Sequence, residues 1–464
     1  MQAQLRALLG DDAVLTRPED TAAFETDQRR LYQGRALAVL LPRSVEQVAA
    51  VAAWCNQRRI GLVPQGGNTG YCGAATPDES GQQVVLSLRR LNRIRSVDAA
   101  NFTMTAEAGC VLANVQQAAD AAERFFPLSL GAEGSCQIGG NLGTNAGGLN
   151  VVRYGMTRDL VLGIEAVLAD GSVLHGLKSL RKDNTGYDLK SLLIGSEGTL
   201  AVITAATLKL WPRMRSTATA LVGLATPGDA LELLGLLRAA AGERLSSFEL
   251  LPRIAIELTT RFIDGVRDPL DQPYPWYILC ELTSSAEEDL DELLQQTLSC
   301  ASERSLVLDA ALANSERVRA AFWHLREHVP DAQRRAGASL KHDISVPVAS
   351  LPEFISEASL WVREQVPEGV LVCYGHAGDG NLHFNVNRID AATDEAFLAR
   401  EPAIRRAIHD LVARYHGSIS AEHGIGRLKR EELQRYASPV ALAAMRAIKQ
   451  SLDPNGIMNP GKLL

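Results

Sequence analysis

The sequence predicts an α+β protein of more than one domain, and three observations carry that prediction. Residues 36–70, ALAVLLPRSVEQVAAVAAWCNQRRIGLVPQGGNTG, read as strand, helix, strand and glycine loop. From about Met214, strand-like runs such as TALVGLA and WYILCEL alternate with helical runs such as DALELLGLLRAAAG and EEDLDELLQQTL. The length, 464 residues, exceeds what one hydrophobic core usually serves, and about three domain-sized units follow.

In chain order, Ser44 can cap the helix of the 36–70 segment, with Gln47 in the capping-box position. The apolar run 60–63 then delivers the chain to PQGGNTGYCGA (64–74), completing a βαβ unit. A second glycine-dense segment is GAEGSCQIGGNLGTNAGG (131–148). LVLGIEAVLADGSVLHG reads as a hairpin turning at Asp170-Gly171, and in GSEGTLAVITAATLKLWP the proline, Pro212, marks a boundary. The later alternation predicts a separate α+β domain, a sheet with covering helices. The tail starts as SAEHGIGRLKR, continues as a helix and ends in LDPNGIMNPGKLL. The expected domains are therefore 1–213, 214–419 and 420–464.

Composition narrows the function classes. Lys and Arg number 47 against 54 Asp and Glu, a formal charge of −7, which argues against a broad nucleic-acid surface. The seven cysteines are widely spaced with no C-x-x-C, so neither a disulfide framework nor a thiolate zinc site is expected. The start, MQAQLRALLGDDAVL, lacks a secretory pattern, and no apolar run approaches the ~18 residues of a membrane span. A soluble cytoplasmic protein is the expectation.

The two glycine loops point to a large anionic ligand. Glycine permits positive φ and lets backbone N–H groups approach a phosphate closely. One such loop reads equally well as a surface turn; two can hold a phosphate-bearing cofactor from both sides. Neither is G-x-G-x-x-G nor G-x-x-x-x-G-K-[ST], so a Rossmann dinucleotide fold and a P-loop are both disfavoured.

PQGGNTGYCGA, PLSLGAEGSCQIGGNLGTNAGG, RYGMTRDLVLGIEAVLADG and IGSEGTLAVIT resemble the FAD-binding (PCMH-type) domain of the vanillyl-alcohol-oxidase flavoprotein superfamily. GHAGDGNLHFNV, SAEHGIGRLKR and LDPNGIMNPGK resemble its FAD-linked oxidase C-terminal half. The resemblance spans essentially the whole chain. Within the superfamily, the D-2-hydroxy-acid dehydrogenases, and their D-2-hydroxyglutarate branch, fit best. It implies FAD between two α+β subdomains, an α+β substrate (cap) domain with an antiparallel sheet, and a small C-terminal helical segment returning to the flavin. The first loop would bind pyrophosphate through Gly66, Gly67, Asn68, Thr69 and Gly70. Ser129, Gly134, Ser135, Gly139, Gly140, Asn145 and Gly148 would line the other side. Ile203 would touch the adenine end and Asn459 the isoalloxazine end. Some relatives tether the flavin to a histidine near the position of Asn68; no histidine lies in either loop, so the FAD is expected to be non-covalent.

CYGHAGDGNLHFNV (373–386) places two histidines around a glycine turn. NLHFNVN alternates, so His383 and Asn385 share one strand face with Phe384 opposite. Gly378, Asp379 and Gly380 form the turn, and His376 can converge with His383. Two imidazoles make a partial metal site, and Glu422 of SAEHGIG is the candidate third ligand. The plain alternative is a pair of hydrogen-bonded core histidines. The resemblance implies a divalent ion, usually zinc, on His376, His383 and Glu422; manganese and cobalt also suit such ligands. It further implies that the metal and His423, the general base, activate the hydroxyl of a D-2-hydroxy acid, with hydride passing from C2 to flavin N5. Asn385 would hydrogen-bond the substrate carboxylate.

HLREHVPDAQRRAGASLKHDISVPV (324–348) is rich in cations. A solvated helix face accounts for Arg334 and Arg335. Arg326 and Lys341 match positions that bind the far carboxylate in the hydroxyglutarate branch, which favours a dicarboxylate, D-2-hydroxyglutarate or D-malate. The animal enzymes carry a threonine where this chain has Pro330, which offers neither hydroxyl nor N–H. Two other readings stand beside this one: a D-lactate or D-glycolate dehydrogenase, and a non-catalytic flavin-binding subunit. The resemblance also implies an electron-transfer flavoprotein or a quinone-linked carrier as acceptor, and a homodimer.

Overall fold

The computed structural model describes residues 1–391 and 394–464. The chain forms two compact units: Met1–Gly147 with Gly155–Arg213 and Glu422–Leu464, and Gly148–Tyr154 with Met214–Ala421.

The first unit holds two larger sheets. One runs in the order Val14–Leu15, Ala36–Leu40, Gln83–Ser87, Gly61–Gln65. The expected strand–helix–strand segment is present, but its two strands do not pair. Both lie parallel to Gln83–Ser87, inserted between them. That central strand is buried throughout, as a strand covered on both faces must be. Helix Val45–Arg58 starts at Ser44, whose side chain accepts from Gln47 N. The Gln47 side chain accepts from Arg43 N at 2.7 Å, so the reciprocal bond falls one residue earlier than in a capping box.

The other sheet is antiparallel, in the order Ile94–Asp98, Thr103–Glu107, Val202–Lys209, Val161–Val167, Val173–Gly176. Its last hairpin turns where expected. Gly171 takes φ 90°, and Asp170 Oδ1 accepts from Ser172 N at 2.8 Å.

The tail returns to the first sheet. Leu62 N donates to Ile457 O and Asn459 N to Leu62 O, both at 2.8 Å, and Ile457 and Met458 join the core around Leu62. This docking buries Lys462, which is 3% exposed. Burial, then Arg427 and Arg430, push its ammonium down to about 8, opposed by Asp78. The folded state therefore releases this proton before the unfolded chain does. Stability gains from this group as pH rises from about 8 towards the ordinary lysine value of 10.5. The difference in Tm between the native protein and a Lys462→Met variant should accordingly shift in favour of the native protein between pH 7.5 and 10.5. A difference constant across that window would contradict the assignment.

The second unit is built on one antiparallel sheet in the order Asp309–Leu312, Ser216–Leu224, Trp276–Ser284, Leu245–Pro252, Val370–His376, Asn381–Ile389, Gly337–Leu340. Asp343–Ser345 also pairs with Asn381–Ile389. The first four strands, with helices Pro227–Ala241 and Leu290–Glu303, repeat strand–helix–strand twice, giving the split arrangement of a ferredoxin-like fold. Alternation sorts the faces. Ala220, Val222, Phe248 and Phe384 enter one core, and Leu221, Tyr277, Val372 and Tyr374 another. Among the described residues, no helix is long and apolar enough to cross a membrane.

Candidate active site

In the first unit, an open cleft is lined by both glycine segments and by residues 196–198, 201–203 and Asn459. Gly66, Gly139, Gly140, Ile203 and Asn459 of the expected cofactor residues line it. Gly67 joins the two loops: a Cβ there would stand 2.2 Å from Ser135 O. A Cβ at Gly70 or Gly134 would meet nothing within 4 Å, so both present bare backbone.

Other expected residues shape the walls. Asn68, at φ 56°, donates through Nδ2 to Thr26 O at 2.9 Å. Ser129 Oγ donates to Glu133 at 3.2 Å and Ser135 Oγ to Ala132 O at 3.3 Å. Asn145 ends helix Ile138–Thr144 at φ 51°, and its Oδ1 accepts from Arg158 N. Thr69 is half-buried within the first loop. Gly148 belongs to the second unit.

The cleft also uses residues that sequence reasoning missed, above all Ser196, Glu197 and Gly198. The available signal was the GSEG turn, where Gly195, Glu197 and Gly198 take φ of 84°, 53° and 71°.

These residues fit FAD. Buried Asn459 donates to Ala74 O and Glu197 O, while its Oδ1 has no partner. Gln137 Oε1 at the second loop is likewise unpartnered. A buried acceptor of this kind calls for a donor.

Beside this cleft, the turn carrying Glu422 and His423 is clamped from two sides. Both oxygens of buried Glu197 accept backbone N–H, from Ile425 and Gly426, at 2.7 Å each. Burial pushes the Glu197 carboxyl up, opposed by those two bonds. On the other side, Arg427 N donates to Cys72 O at 2.8 Å, and the His423 ring meets Tyr71 edge-on at 4.8 Å. Tyr71 belongs to the first glycine loop, so His423 is held against that loop. Glu422 packs on Gly147, where a Cβ would stand 2.6 Å from its Oε1. Donor atoms of Glu422 and His423 lie within 4.8 Å of each other.

In the second unit, Val370–His376 and Asn381–Ile389 form the expected histidine hairpin. The rings of His376 and His383 converge to 5.6 Å between centroids, at 77°. Asp343, which sequence reasoning passed over, pairs in register with His383 and stands 3.9 Å from its Nδ1. Phe384 is buried on the opposite face, as the alternation requires.

Asn385 shares the face of His383 and is buried. Its Nδ2 donates to Gln333 and its Oδ1 accepts from His342 N. Lys341 is half-buried in the break between Gly337–Leu340 and Asp343–Ser345, rather than within a strand. Arg326 is 5% exposed and pairs with a second missed residue, Glu249, through Nη2 at 2.7 Å and Nε at 2.8 Å. Glu249 also meets His376 Nδ1 at 2.6 Å. Burial would raise the Glu249 carboxyl, but His376 and Arg326 together hold it down to about 2. Pro330 sits in the first turn of helix Val329–Ala336, where a missing N–H costs nothing.

Comparison with known proteins agrees with this architecture. Residues 36–176 match the family model "FAD binding domain", and residues 213–463 match "FAD linked oxidases, C-terminal domain". A probable mitochondrial D-2-hydroxyglutarate dehydrogenase of Oryza sativa subsp. indica is 39% identical over 461 residues, covering 99% of this chain and 80% of the relative. A D-2-hydroxyglutarate dehydrogenase of Stutzerimonas stutzeri is 37% identical, covering 99% of this chain and 98% of the relative. A D-2-hydroxyglutarate–pyruvate transhydrogenase of Saccharomyces cerevisiae is 34% identical, covering 100% of this chain and 94% of the relative. Among solved structures, p-cresol methylhydroxylase superposes with a TM-score of 0.76 at 17% identity, covering 99% of this chain and 95% of that one, a likeness of fold.

Proposed function

The chain belongs to the FAD-linked oxidase family, and from that membership we propose that it oxidises D-2-hydroxyglutarate, and also D-malate, to the 2-oxo acid. It is an FAD-dependent enzyme of the D-2-hydroxyglutarate dehydrogenase type. The observation that carries the substrate reading is the hairpin that turns His376 and His383 together in the unit that also holds Arg326 and Lys341.

His376, His383 and Glu422 hold a divalent cation, zinc first among the candidates. Chain connectivity supports Glu422 as the third ligand. Ser418 is bonded to Ser345 at the end of the strand that carries Asp343, and Glu422 follows four residues later. Four residues reach at most about 14 Å. Such an ion supplies Lewis-acid polarisation of the substrate hydroxyl, and FAD supplies the hydride acceptor.

The protein's own residues bind, orient and move the proton. Lys341 and the Nη1 edge of Arg326 take the far carboxylate. Asn385 orients the near one, and His423 removes the hydroxyl proton. The glycine loops, Ile203 and Asn459 hold the flavin within 1–213, closed by 420–464, and residues 214–419 carry the substrate. The resemblance supports a homodimer that passes electrons to an electron-transfer flavoprotein or a quinone-linked carrier, and the seven free cysteines favour a reducing compartment such as the cytoplasm.

Anaerobic mixing with D-2-hydroxyglutarate, D-malate and D-lactate, followed by flavin absorbance, tests the reading. D-2-hydroxyglutarate should bleach the flavin fastest. Chelation should abolish the bleaching, and added metal should restore it. Bleaching by D-lactate alone would replace the dicarboxylate reading with that of a D-lactate dehydrogenase. No bleaching by any of the three would favour a non-catalytic flavin subunit.

A further inference from the structure

Glu249 lies on Leu245–Pro252, directly across the ladder from His376, and is 1% exposed. Its two oxygens face two different partners. Oε1 meets His376 Nδ1 at 2.6 Å, and Oε2 accepts from Arg326 Nε and Nη2. An ionised carboxylate has no proton to give, so the hydrogen in the first contact belongs to the imidazole. With Nδ1 carrying it, the neutral ring presents a lone pair at Nε2, the nitrogen away from Glu249. The guanidinium of Arg326 is fixed in turn: its Nε–Nη2 edge holds Glu249, and its Cζ stands over the Tyr374 ring, 4.9 Å from the ring centre.

We infer that Glu249 is a positioning residue for the cation site, fixing the tautomer of His376 and setting its donor strength, with Arg326 tempering that carboxylate. The inference rests on the reading that His376 holds a divalent cation. A carboxylate behind a ligating imidazole orients the ring and makes it a stronger donor, and losing such a partner typically weakens metal binding about 10- to 100-fold. Arg326 then acts in the opposite sense, because its positive charge offsets the negative charge that Glu249 turns towards the ion. Glu249 thereby joins two subsites, the imidazole that binds the cation and the guanidinium beside the far carboxylate.

This chain of charge gives a test that a purely structural ion pair would fail. Zn²⁺ affinity is measured on the flavin-loaded, metal-stripped protein by competition with a chromogenic chelator, with FAD absorbance reporting the fold. Glu249→Gln keeps an acceptor for the His376 N–H but loses the charge and leaves Arg326 unbalanced. Its Zn²⁺ affinity should fall about 10- to 100-fold. Arg326→Met leaves the carboxylate unopposed, so its Zn²⁺ affinity should be equal to or tighter than that of the native protein. An ion pair that only fills the core would give equal losses in both variants. Equal losses, or no change in Glu249→Gln, would overturn the inference while leaving the cation reading in place. Native protein that takes up no stoichiometric Zn²⁺ would overturn the cation reading itself, and the inference with it. If Glu249→Gln folds poorly, the double variant Glu249→Gln/Arg326→Met removes both charges together and should still show the fall in affinity.

Discussion

In a His423→Asn variant, turnover of D-2-hydroxyglutarate is expected to fall by about 10²- to 10⁴-fold, the usual contribution of a positioned general base. The flavin should stay in place. The turn around His423 is held by backbone bonds, from Ile425 N and Gly426 N to Glu197 and from Arg427 N to Cys72 O. None of these uses the imidazole, so asparagine removes the proton acceptor and the edge contact with Tyr71 and leaves the turn intact. Steady-state kinetics together with flavin and metal content check this. A drop in kcat with unchanged FAD, unchanged metal and a KM within a few-fold is the expected pattern. Retained turnover would remove His423 from the base role. Loss of FAD would make the ring a structural prop for the first glycine loop.

The parts of this molecule that could be read from sequence are those whose determinants lie within a few residues. The Asp170-Gly171 hairpin, the start of helix Val45–Arg58 and the alternation of His383, Phe384 and Asn385 are all local patterns, and the structure reproduces them. The hidden parts depend on long-range pairing. Arg326 and Glu249 are 77 residues apart, so the sequence could not show that the arginine is already bonded to a carboxylate. Glu249 itself sits in the apolar run FELLP, where one acidic residue gives no periodic signal. Asp343 comes to His383 only through the pairing of two distant strands. The insertion of Gln83–Ser87 between the strands of the first strand–helix–strand segment is hidden for the same reason. Glu197 lay inside a motif already noted, and only the fold reveals that its carboxylate clamps a turn 228 residues away.

Lys341→Met should separate substrates by their far end. The lysine emerges between Gly337–Leu340 and Asp343–Ser345, on the segment that also pairs Asp343 with His383. Methionine keeps the length and the apolar stem and removes only the ammonium. A hydrogen bond to a charged group contributes about 1.5–3 kcal/mol, so KM for D-2-hydroxyglutarate should rise about 10- to 100-fold. D-lactate has no second carboxylate and should lose almost nothing. Arg326 cannot fully replace the lost cation, because its Nε and Nη2 are held by Glu249. D-malate, shorter by one methylene, should fall between the two if the ammonium reaches it less directly. The decisive quantity is the ratio of kcat/KM for D-2-hydroxyglutarate to that for D-lactate, since specificity is a difference between two affinities. A collapse of that ratio assigns the far carboxylate to Lys341. Parallel losses on both substrates would mean that the lysine supports the fold of the strand break, and that the dicarboxylate preference resides elsewhere.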